Sequence, residues 1–417
     1  MDRKTFVYID WAQKPALVGA LWTRLRKGQE SATFEYDPQW LAHPERFSLE
    51  PALALGAGPY HTSSGRKLFG ALGDSAPDRW GRILMRRAER RTAEKEKRTP
   101  QTLSEIDFLL NVDDEARLGA LRFAESIGGT FRKQETITRI PPFLELPRLL
   151  SASEHVAAEK DTDEDLRLLL APGSSLGGAR PKASVRDRDG TLAFAKFPQK
   201  SDDVNTILWE ATALKLAGQA GIGVPVWRVE SVRKKPVLIL RRFDREGARR
   251  IPFLSSMSML GAADHETHSY LEIADALRRY GAQPLADLQQ LWRRIVFNIL
   301  ISNTDDHLRN HAFLYAGSGG WRLSPAYDLN PVPVDLKPRV LSTLIDAEDG
   351  TASLDLALHV AGSFHLSLKQ ARAITAEVAQ VVVRWRSVAA AVGLQKSDIE
   401  RMASAFDHVD LENAQKI

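Results

Sequence analysis

The chain lacks cysteine, long apolar runs and a strong excess of either charge. With no cysteine among its 417 residues, the sequence excludes disulfide bonds, thiolate catalysis and cysteine-ligated zinc or iron–sulfur sites. No apolar run is long enough to cross a bilayer, and Met1–Tyr8 contain no apolar stretch typical of a signal peptide. These absences predict a cytoplasmic protein that does not associate with membranes.

The charges nearly cancel, since 57 lysines and arginines face 53 aspartates and glutamates, for a net charge of +4. Such a balance permits contact with nucleic acid without indicating it, because a dedicated binder carries a concentrated basic stripe. The densest run, residues 86–98, mixes arginine and lysine with glutamate, which is typical of a solvated helix face. The length allows two or three packed units with a sizeable core.

Hydrophobic patterning and turn residues predict four segments. Residues 1–125 form an α+β subdomain, residues 126–150 a linker, residues 151–245 a strand-rich lobe and residues 246–417 a helical lobe. Strands are predicted at 6–9, 17–22, 33–36, 183–186, 192–197, 224–232 and 236–243, and helices at 77–91, 104–110, 154–170, 203–220, 285–300 and 368–392. The fold class is therefore α+β, with a strand-rich lobe after an extra N-terminal subdomain and an all-helical C-terminal lobe, which is the layout of a two-lobed protein kinase.

The strongest chemical signal is the acidic loop Asn303–Asn310, which follows the apolar helix predicted at 285–300. Asp305 and Asn310 have the D-x-x-x-x-N spacing of a kinase catalytic loop, in which a carboxylate takes the proton of a hydroxyl and an amide oxygen binds Mg²⁺. A hairpin predicted at 312–323 would return the chain and bring Asp328 back toward Asn310. Carboxylate, amide and phosphate oxygens together suit Mg²⁺, whereas the spacing alone is equally typical of an ordinary polar loop.

A glycine-rich loop, Gly173–Lys182, precedes the strands of the second lobe. Glycines allow backbone N–H groups to approach phosphates, and Arg180 and Lys182 add complementary charge. Gly173 and Gly178 have the spacing of a Walker A loop, but Ala179-Arg180 stands where that motif requires Lys-Ser/Thr. A flexible linker is the alternative interpretation.

Three further side chains have both a chemical and a structural interpretation. Lys196 lies in an otherwise apolar strand, where it either contacts ATP phosphates, with Glu210 as an ion-pair partner, or snorkels to the surface. Phe243 ends the last strand of the lobe and lies either against adenine or in the core. His307 is predicted to hold the acidic loop by a hydrogen bond rather than to ligate a metal with His311.

The sequence resembles the HipA-like serine/threonine kinases. The matching motifs are SSLGGARPK (174–182), AKFP (195–198), RRFDR (241–245), TDDHLRN (304–310) and YDLN (327–330). Residues 1–125 also resemble the N-terminal subdomain of that family through 34–41 and the DSAPDRWG motif at 74–81. The likeness covers nearly the whole chain, and the order and spacing of the motifs are specific.

The resemblance implies the following roles. Asp305 is the catalytic base, and Asn310 and Asp328 bind Mg²⁺. The remaining nucleotide contacts that it implies come from Ser174, Ser175, Leu176, Gly177, Gly178, Lys182, Lys196, Arg241, Phe243 and His307. Ser175 matches the loop serine that family members autophosphorylate, with the adjacent Ser174 as the alternative, and a phosphate there would repel ATP and switch the kinase off.

The resemblance further implies ATP and Mg²⁺ as cofactors and a toxin role in a toxin–antitoxin module. The implied partner is a small helix-turn-helix antitoxin of the HipB type, through which the complex would bind operator DNA. Family targets include aminoacyl-tRNA synthetases, so the resemblance implies a translation-related protein substrate. Two alternatives stay open, namely a kinase of the same fold with a non-protein substrate such as a lipid head group, and a catalytically idle scaffold that only binds antitoxin and DNA.

Overall fold

The computed structural model describes residues 2–11, 14–133, 140–170, 178, 180–200, 202–317 and 319–417. The chain divides into two compact units, the first comprising Met1–Lys200 and Ser231–Leu254 and the second comprising Ser201–Glu230 and Ser255–Ile417. No helix in the described part of the chain combines the length and apolar composition that crossing a membrane requires.

The first unit begins with an antiparallel five-stranded sheet in the order β4-β3-β2-β1-β5. Its elements are β1 (Asp2–Ile9), β2 (Ala16–Arg26), β3 (Gln29–Tyr36), α1 (Pro38–Ala42), β4 (Pro59–His61), α2 (Gly70–Asp74), α3 (Arg79–Lys95), α4 (Glu105–Leu110) and β5 (Leu121–Ala124). The three strands predicted near the N-terminus are confirmed, although each is longer than predicted. Helix α3 starts at an N-cap on Asp78, whose side chain accepts a hydrogen bond from the Gly81 N–H.

A second sheet, in the order β6-β7-β9-β8, follows in the chain. The elements in this part of the chain are a 3₁₀ helix (Phe143–Glu145), α5 (Leu146–Ala157), α6 (Asp163–Leu170), β6 (Lys182–Arg186), β7 (Leu192–Lys196), β8 (Trp227–Val232), β9 (Lys235–Arg241), β10 (Arg245–Glu246), β11 (Arg249–Arg250) and β12 (Phe253–Ser255). Strands β10, β11 and β12 lie outside this four-stranded sheet. Apolar side chains of α3, α5 and α6 pack with those of β6, β7 and β9 into one core, whose burial from water stabilises this unit.

The single helix predicted at 154–170 is wrong, because α5 ends at Ala157 and α6 begins at Asp163. Between them, Asp161 is buried and accepts hydrogen bonds from Arg87 and Arg91 of α3. Thr162 then starts α6, since its hydroxyl accepts from the Asp165 N–H at 3.1 Å and the Asp165 carboxylate accepts from the Thr162 N–H at 2.8 Å. A contact distant in sequence therefore interrupts a continuous helical pattern.

The second unit is mainly helical and contains one hairpin, β13–β14, with the predicted bounds. Its elements are α7 (Thr206–Gln219), α8 (Ser256–Met259), α9 (Tyr270–Tyr280), α10 (Pro284–Leu300), a 3₁₀ helix (Leu308–Asn310), β13 (Ala312–Tyr315), β14 (Trp321–Leu323), α11 (Leu354–Val360), a 3₁₀ helix (Ala361–Phe364), α12 (Leu368–Val382), α13 (Trp385–Val392), α14 (Lys396–Arg401), α15 (Ala403–Phe406) and α16 (Val409–Ala414). Helix α7 begins after an N-cap on Asn205, three residues later than the start predicted at 203.

Helix α10 forms the centre of this unit and positions the acidic loop. Almost every residue from Leu291 to Leu300 is buried, and the Trp292 indole N–H donates to the carbonyl of Ala357 at 3.2 Å. Near the start of the helix, the buried carboxylate of Asp287 accepts two bonds from Arg322 of β14, at 2.8 and 3.0 Å. Burial holds the second half of α10 in place, and the Asp287–Arg322 pair attaches β14 to the same helix. The acidic loop, which joins α10 to the hairpin, is therefore anchored at both of its ends.

Candidate active site

The acidic loop starts where α10 ends, and it presents two adjacent aspartates in opposite environments. The Asn303 N–H donates to the carbonyl of Asn298 at 2.9 Å, which turns the chain out of the helix. Asp305 is exposed, whereas Asp306 is 1% exposed. An exposed carboxylate can meet a substrate hydroxyl, so Asp305 is the member of the pair that is suited to proton transfer.

Asn310 closes the loop and leaves one oxygen atom without a hydrogen-bond donor. Its side-chain Nδ2 donates to the carbonyl of Asp305 at 2.8 Å, and its N–H donates to the carbonyl of His307 at 2.8 Å. Its Oδ1 is buried and accepts no hydrogen bond from any described residue. A buried acceptor without a donor is costly, and this amide oxygen therefore suits a bound cation.

The turn that carries Asp328 is held against the acidic loop. The Tyr327 hydroxyl donates to the carbonyl of Arg309 at 2.6 Å, and the Asn330 N–H donates to Oδ1 of Asn303 at 3.2 Å. Asp328 adopts the left-handed conformation with φ 58°, which is uncommon for a residue other than glycine and is found at functional turns. The hairpin thus returns the chain, and the carboxylate-bearing turn and the amide-bearing loop share one edge of the unit.

The side-chain oxygens of Asn310 and Asp328 are of the chemical type that Mg²⁺ binds beside phosphate. Carboxylate and amide oxygens are ligands that Mg²⁺ takes, and protein sites supply only one or two of its ligands beside phosphates and water. Within the described ranges, no three His, Asp or Glu side chains cluster as a self-sufficient metal site. Asn310 and Asp328 would therefore hold the ion only together with oxygens that the nucleotide and water supply.

Behind the loop, Asp306 forms a buried hydrogen-bond network that the sequence did not predict. Its carboxylate accepts from the hydroxyl of Tyr270 and from the N–H of Ser342 at 2.8 Å, and its carbonyl accepts from the Thr343 hydroxyl at 2.7 Å. Asn298 Nδ2 donates to the same tyrosine hydroxyl at 3.0 Å. The network ties α9, α10 and the segment around 342 to the loop, and it fixes the backbone on which Asp305 stands.

Protein stability is expected to depend on pH through Asp306. Burial raises the pKa of Asp306 from 3.8 to about 6, against the opposing hydrogen bonds from Tyr270 and Ser342. Because the fold favours the protonated carboxyl, stability should fall as the pH rises from about 4 to about 6 and should level off above. Melting temperatures of the wild type and of Asp306→Asn between pH 4 and pH 8 test this, since the variant should lose this part of the pH dependence. Parallel curves would contradict it.

The histidines divide their roles differently from the prediction. The carbonyl of His307, and not its ring, holds Asn310, and Nδ1 of His307 is buried with no hydrogen-bond partner in the described residues. The ring of His311 takes the predicted structural part, because its Nε2 lies 3.2 Å from the carbonyl of Asp306 and donates to it. Burial lowers the pKa of His311 to about 3, so this ring is neutral at physiological pH.

The first unit carries the other predicted site residues. Lys196 ends β7 and is 6% exposed, which contradicts the alternative of a lysine that snorkels to the surface. Lys182 starts β6, pairs in register with Lys196, and donates to Oδ2 of Asp78 at 2.9 Å, a partner that sequence reasoning did not identify. The indole N–H of Trp80 donates to the carbonyl of Lys182 at 3.0 Å. The DRWG segment of the N-terminal subdomain therefore holds the strand that follows the glycine-rich loop.

Several predicted nucleotide contacts lie in or beside the glycine-rich loop. Ser174, Ser175, Leu176 and Gly177 lie outside the described residues, and Gly178 has a φ of 85°, which favours glycine.

The residues predicted to lie along adenine are at the end of β9. Arg241 ends this strand with an exposed side chain, and Phe243, two residues later, is half-buried. The half-buried ring leaves both interpretations of Phe243, adenine contact or core, as predictions.

Comparison with known proteins identifies both parts of the chain. Residues 174–407 match the HipA-like C-terminal domain, and residues 11–123 match the HipA N-terminal domain. HipA of Shewanella oneidensis MR-1, solved in complex with HipB and its operator DNA, has a TM-score of 0.67 to this chain at 16% identity and covers 99% of both chains. At that identity the likeness shows a shared fold.

Three curated relatives are each named "Putative kinase". One from Haemophilus influenzae is 26% identical over 213 residues, and two from Sinorhizobium fredii, Y4mE and Y4dM, are 27% identical over 194 residues and 30% identical over 191 residues. These matches cover 44%, 40% and 42% of this chain and 61%, 44% and 42% of the relatives, so the chain spans about half of their length. Because the C-terminal domain match alone covers more than half of the sequence, the chain belongs to the HipA family.

Proposed function

We propose that this chain is an ATP-dependent protein serine/threonine kinase that acts as the toxin of a toxin–antitoxin module. The observation that carries the proposal is the pairing, on one loop, of an exposed carboxylate on Asp305 with a buried amide oxygen on Asn310 that accepts no hydrogen bond from the described residues. Phosphoryl transfer needs this combination, because catalysis rests on positioning the nucleophile and on compensating phosphate charge.

In the proposed reaction, Asp305 accepts the proton of a serine or threonine hydroxyl. The hydroxyl oxygen forms a bond to the γ-phosphorus, and the bond from that phosphorus to the leaving ADP oxygen breaks. Asn310 and Asp328 would hold Mg²⁺, which when bound neutralises charge on the phosphate oxygens. Lys196 would contact the ATP phosphates, for which its position in a buried strand is suited.

The remaining nucleotide contacts are assigned by position in the family motifs. Gly178 and Lys182 would border the phosphates, and the backbone from Arg241 to Phe243 would lie along adenine, where no particular side chain is required. The ammonium of Lys182 already has a protein partner in Asp78. We therefore assign Lys182 two roles: its ion pair with Asp78 fixes the end of the glycine-rich loop where β6 begins, and its ammonium also binds phosphate.

Regulation would use the glycine-rich loop itself. Autophosphorylation at Ser175, or at the adjacent Ser174, would place a dianion where ATP phosphates bind. Repulsion between these charges would switch the kinase off.

The proposed partners follow from the family and from its solved relative. The HipA chain from Shewanella was solved with HipB and operator DNA. We infer that this chain binds a HipB-like helix-turn-helix antitoxin and contacts operator DNA mainly through it. The proposed substrate is a translation-related protein, such as an aminoacyl-tRNA synthetase.

Intact-mass spectrometry of the purified protein after incubation with Mg²⁺-ATP tests the proposal. We expect a gain of one phosphate that EDTA prevents, since phosphate charge compensation requires the metal. Ser175→Ala and Ser174→Ala identify the modified residue, because only one of them should lose the added mass.

A second readout separates the proposal from a catalytically idle scaffold. Equilibrium binding of a fluorescent ATP analogue and the release of ADP are measured on the same protein. If the protein neither gains phosphate, nor binds nucleotide, nor releases ADP, the kinase proposal is wrong and the scaffold alternative holds.

A further inference from the structure

A cavity of about 430 Å³ lies in the first unit. Five arginines line it, namely Arg186, Arg241, Arg242, Arg245 and Arg250. Only two carboxylates, Asp10 and Glu115, line it with them. Cavities of this volume accommodate small molecules, and a concave surface lined mainly by one sign of charge concentrates ions of the opposite sign.

Two of the arginines are held rigidly by the protein. Arg242 is 1% exposed, donates to both carboxylate oxygens of Asp244 at 2.8 and 2.5 Å, and also donates to the carbonyl groups of Ala116 and Arg117. Arg245 donates to the same carboxylate at 2.6 Å. The single carboxylate of Asp244 therefore pairs with both guanidinium groups. Arg242 and Arg245 together keep a net positive charge in a fixed position at one side of the cavity.

The other three arginines retain capacity for an incoming anion. Arg250 is 7% exposed and pairs with Asp114 at 3.2 Å and with Asp10 at 3.7 Å, but its Nη1 is buried with no hydrogen-bond acceptor among the described residues. The side chain of Arg241 is exposed at the end of β9. Arg186 pairs with Glu115, but both side chains are largely solvent-accessible, at 40% and 54%, and an exposed pair of this kind contributes little stability.

Burial and neighbouring positive charges disfavour the charged forms of Arg245 and Arg250. Burial lowers the pKa of Arg245 to about 9, and the positive charges of Arg242 and Arg250 lower it further against the opposing effect of Asp244. Burial likewise lowers the pKa of Arg250, with a contribution from Arg122. Perturbed groups of this kind that face a cavity are typical of binding sites, because an anion would relieve the repulsion.

We propose that this cavity binds a small phosphorylated molecule with at least two negative charges. Phosphate oxygens match the planar, forked donors of guanidinium groups and accept two hydrogen bonds from each. Arg186 and Arg241 lie at the same end of the sheet, on the two strands that flank β7, and would contact the ligand from either side. Arg250 would supply its donor without an acceptor. Neither Lys182 nor Lys196 lines this cavity, so it does not include the lysines assigned to the ATP phosphates. Arg241 is shared with the segment assigned to adenine, but that assignment uses its backbone, whereas this site uses its side chain.

Isothermal titration calorimetry with pyrophosphate tests the site directly. The titration is carried out on the full chain in EDTA, so that no divalent ion can attach pyrophosphate to Asn310 and Asp328. The wild type should bind with a saturable isotherm that weakens with added salt. Arg241→Ala and Arg186→Ala should each weaken binding at least tenfold, as the loss of a charged hydrogen bond does.

Arg26→Ala is the matched control, because it removes an exposed arginine from the β2–β3 hairpin of the same unit. Its affinity for pyrophosphate should equal that of the wild type. The proposal is overturned if the wild type shows no saturable binding at millimolar pyrophosphate, or if Arg241→Ala and Arg186→Ala both bind as the wild type does. The measurement needs no ATP turnover, so its failure would leave the proposed kinase activity untouched.

Discussion

Replacing Asp305 with asparagine is expected to slow phosphoryl transfer by about 10²- to 10⁴-fold, the usual contribution of a positioned general base. Asparagine keeps the size of the side chain but cannot take the hydroxyl proton. Because Asp305 is exposed, the loss should appear in kcat with little change in the melting temperature. Initial rates of phosphate incorporation at saturating Mg²⁺-ATP measure this effect.

The matched control is Asp355→Asn, which removes an exposed carboxylate from the first turn of α11 in the same unit. This variant should retain the wild-type rate, since its side chain lies on another element. A wild-type rate for Asp305→Asn would show that Asp305 is not the base. If Asp305→Asn lowered the melting temperature, the result would instead indicate that Asp305 has a structural role.

Replacing Asp244 with alanine is expected to lower the free energy of unfolding by roughly 3–5 kcal/mol, the usual loss when one partner of a buried ion pair is removed. Although burial alone would raise the pKa of Asp244, the guanidinium groups of Arg242 and Arg245 hold it well below its ordinary value. The ionised carboxylate is therefore strongly favoured by the fold. Without it, two buried guanidinium groups would share no counter-charge, and the Gly119 N–H, 2.8 Å from the carboxylate, would lose its acceptor.

Urea unfolding at neutral pH measures the effect. Glu94→Ala is a suitable control, because Glu94 is an exposed carboxylate on α3 of the same unit and surface substitutions usually change stability by less than about 0.5 kcal/mol. A loss for Asp244→Ala as small as that of the control would contradict the role assigned to this ion-pair network.

Adjacent aspartates show where sequence reasoning stops. The D-x-x-x-x-N spacing predicted Asp305 as the reactive carboxylate, and the structure places it on the exposed side of the loop. Nothing in the sequence distinguished Asp306 as a buried hub, because its partners Tyr270 and Ser342 lie 36 residues away on either side. Hydrogen bonds over such separations leave no periodic pattern.

The same limit explains the helix that the sequence joined and the structure divides. Residues 154–170 have helical spacing throughout, but Asp161 is engaged by arginines more than 60 residues earlier in the chain. Lys182 likewise has the composition expected near phosphate, while its ion-pair partner Asp78 lies 104 residues away. The local hydrophobic pattern predicts which face of an element is apolar. It does not predict which charged side chains, distant in sequence, contact that element in the folded chain.

The sequence by itself determined the first three strands, the hairpin from Ala312 to Leu323 and the motifs that indicate the HipA family, because periodicity, turn residues and short motifs are local properties of the chain. Tertiary structure alone decided which carboxylates are buried, where the helical pattern breaks, and that five arginines surround one cavity. Burial and long-range pairing arise only when distant segments meet, and they set the electrostatic environment on which the chemistry of each charged side chain depends.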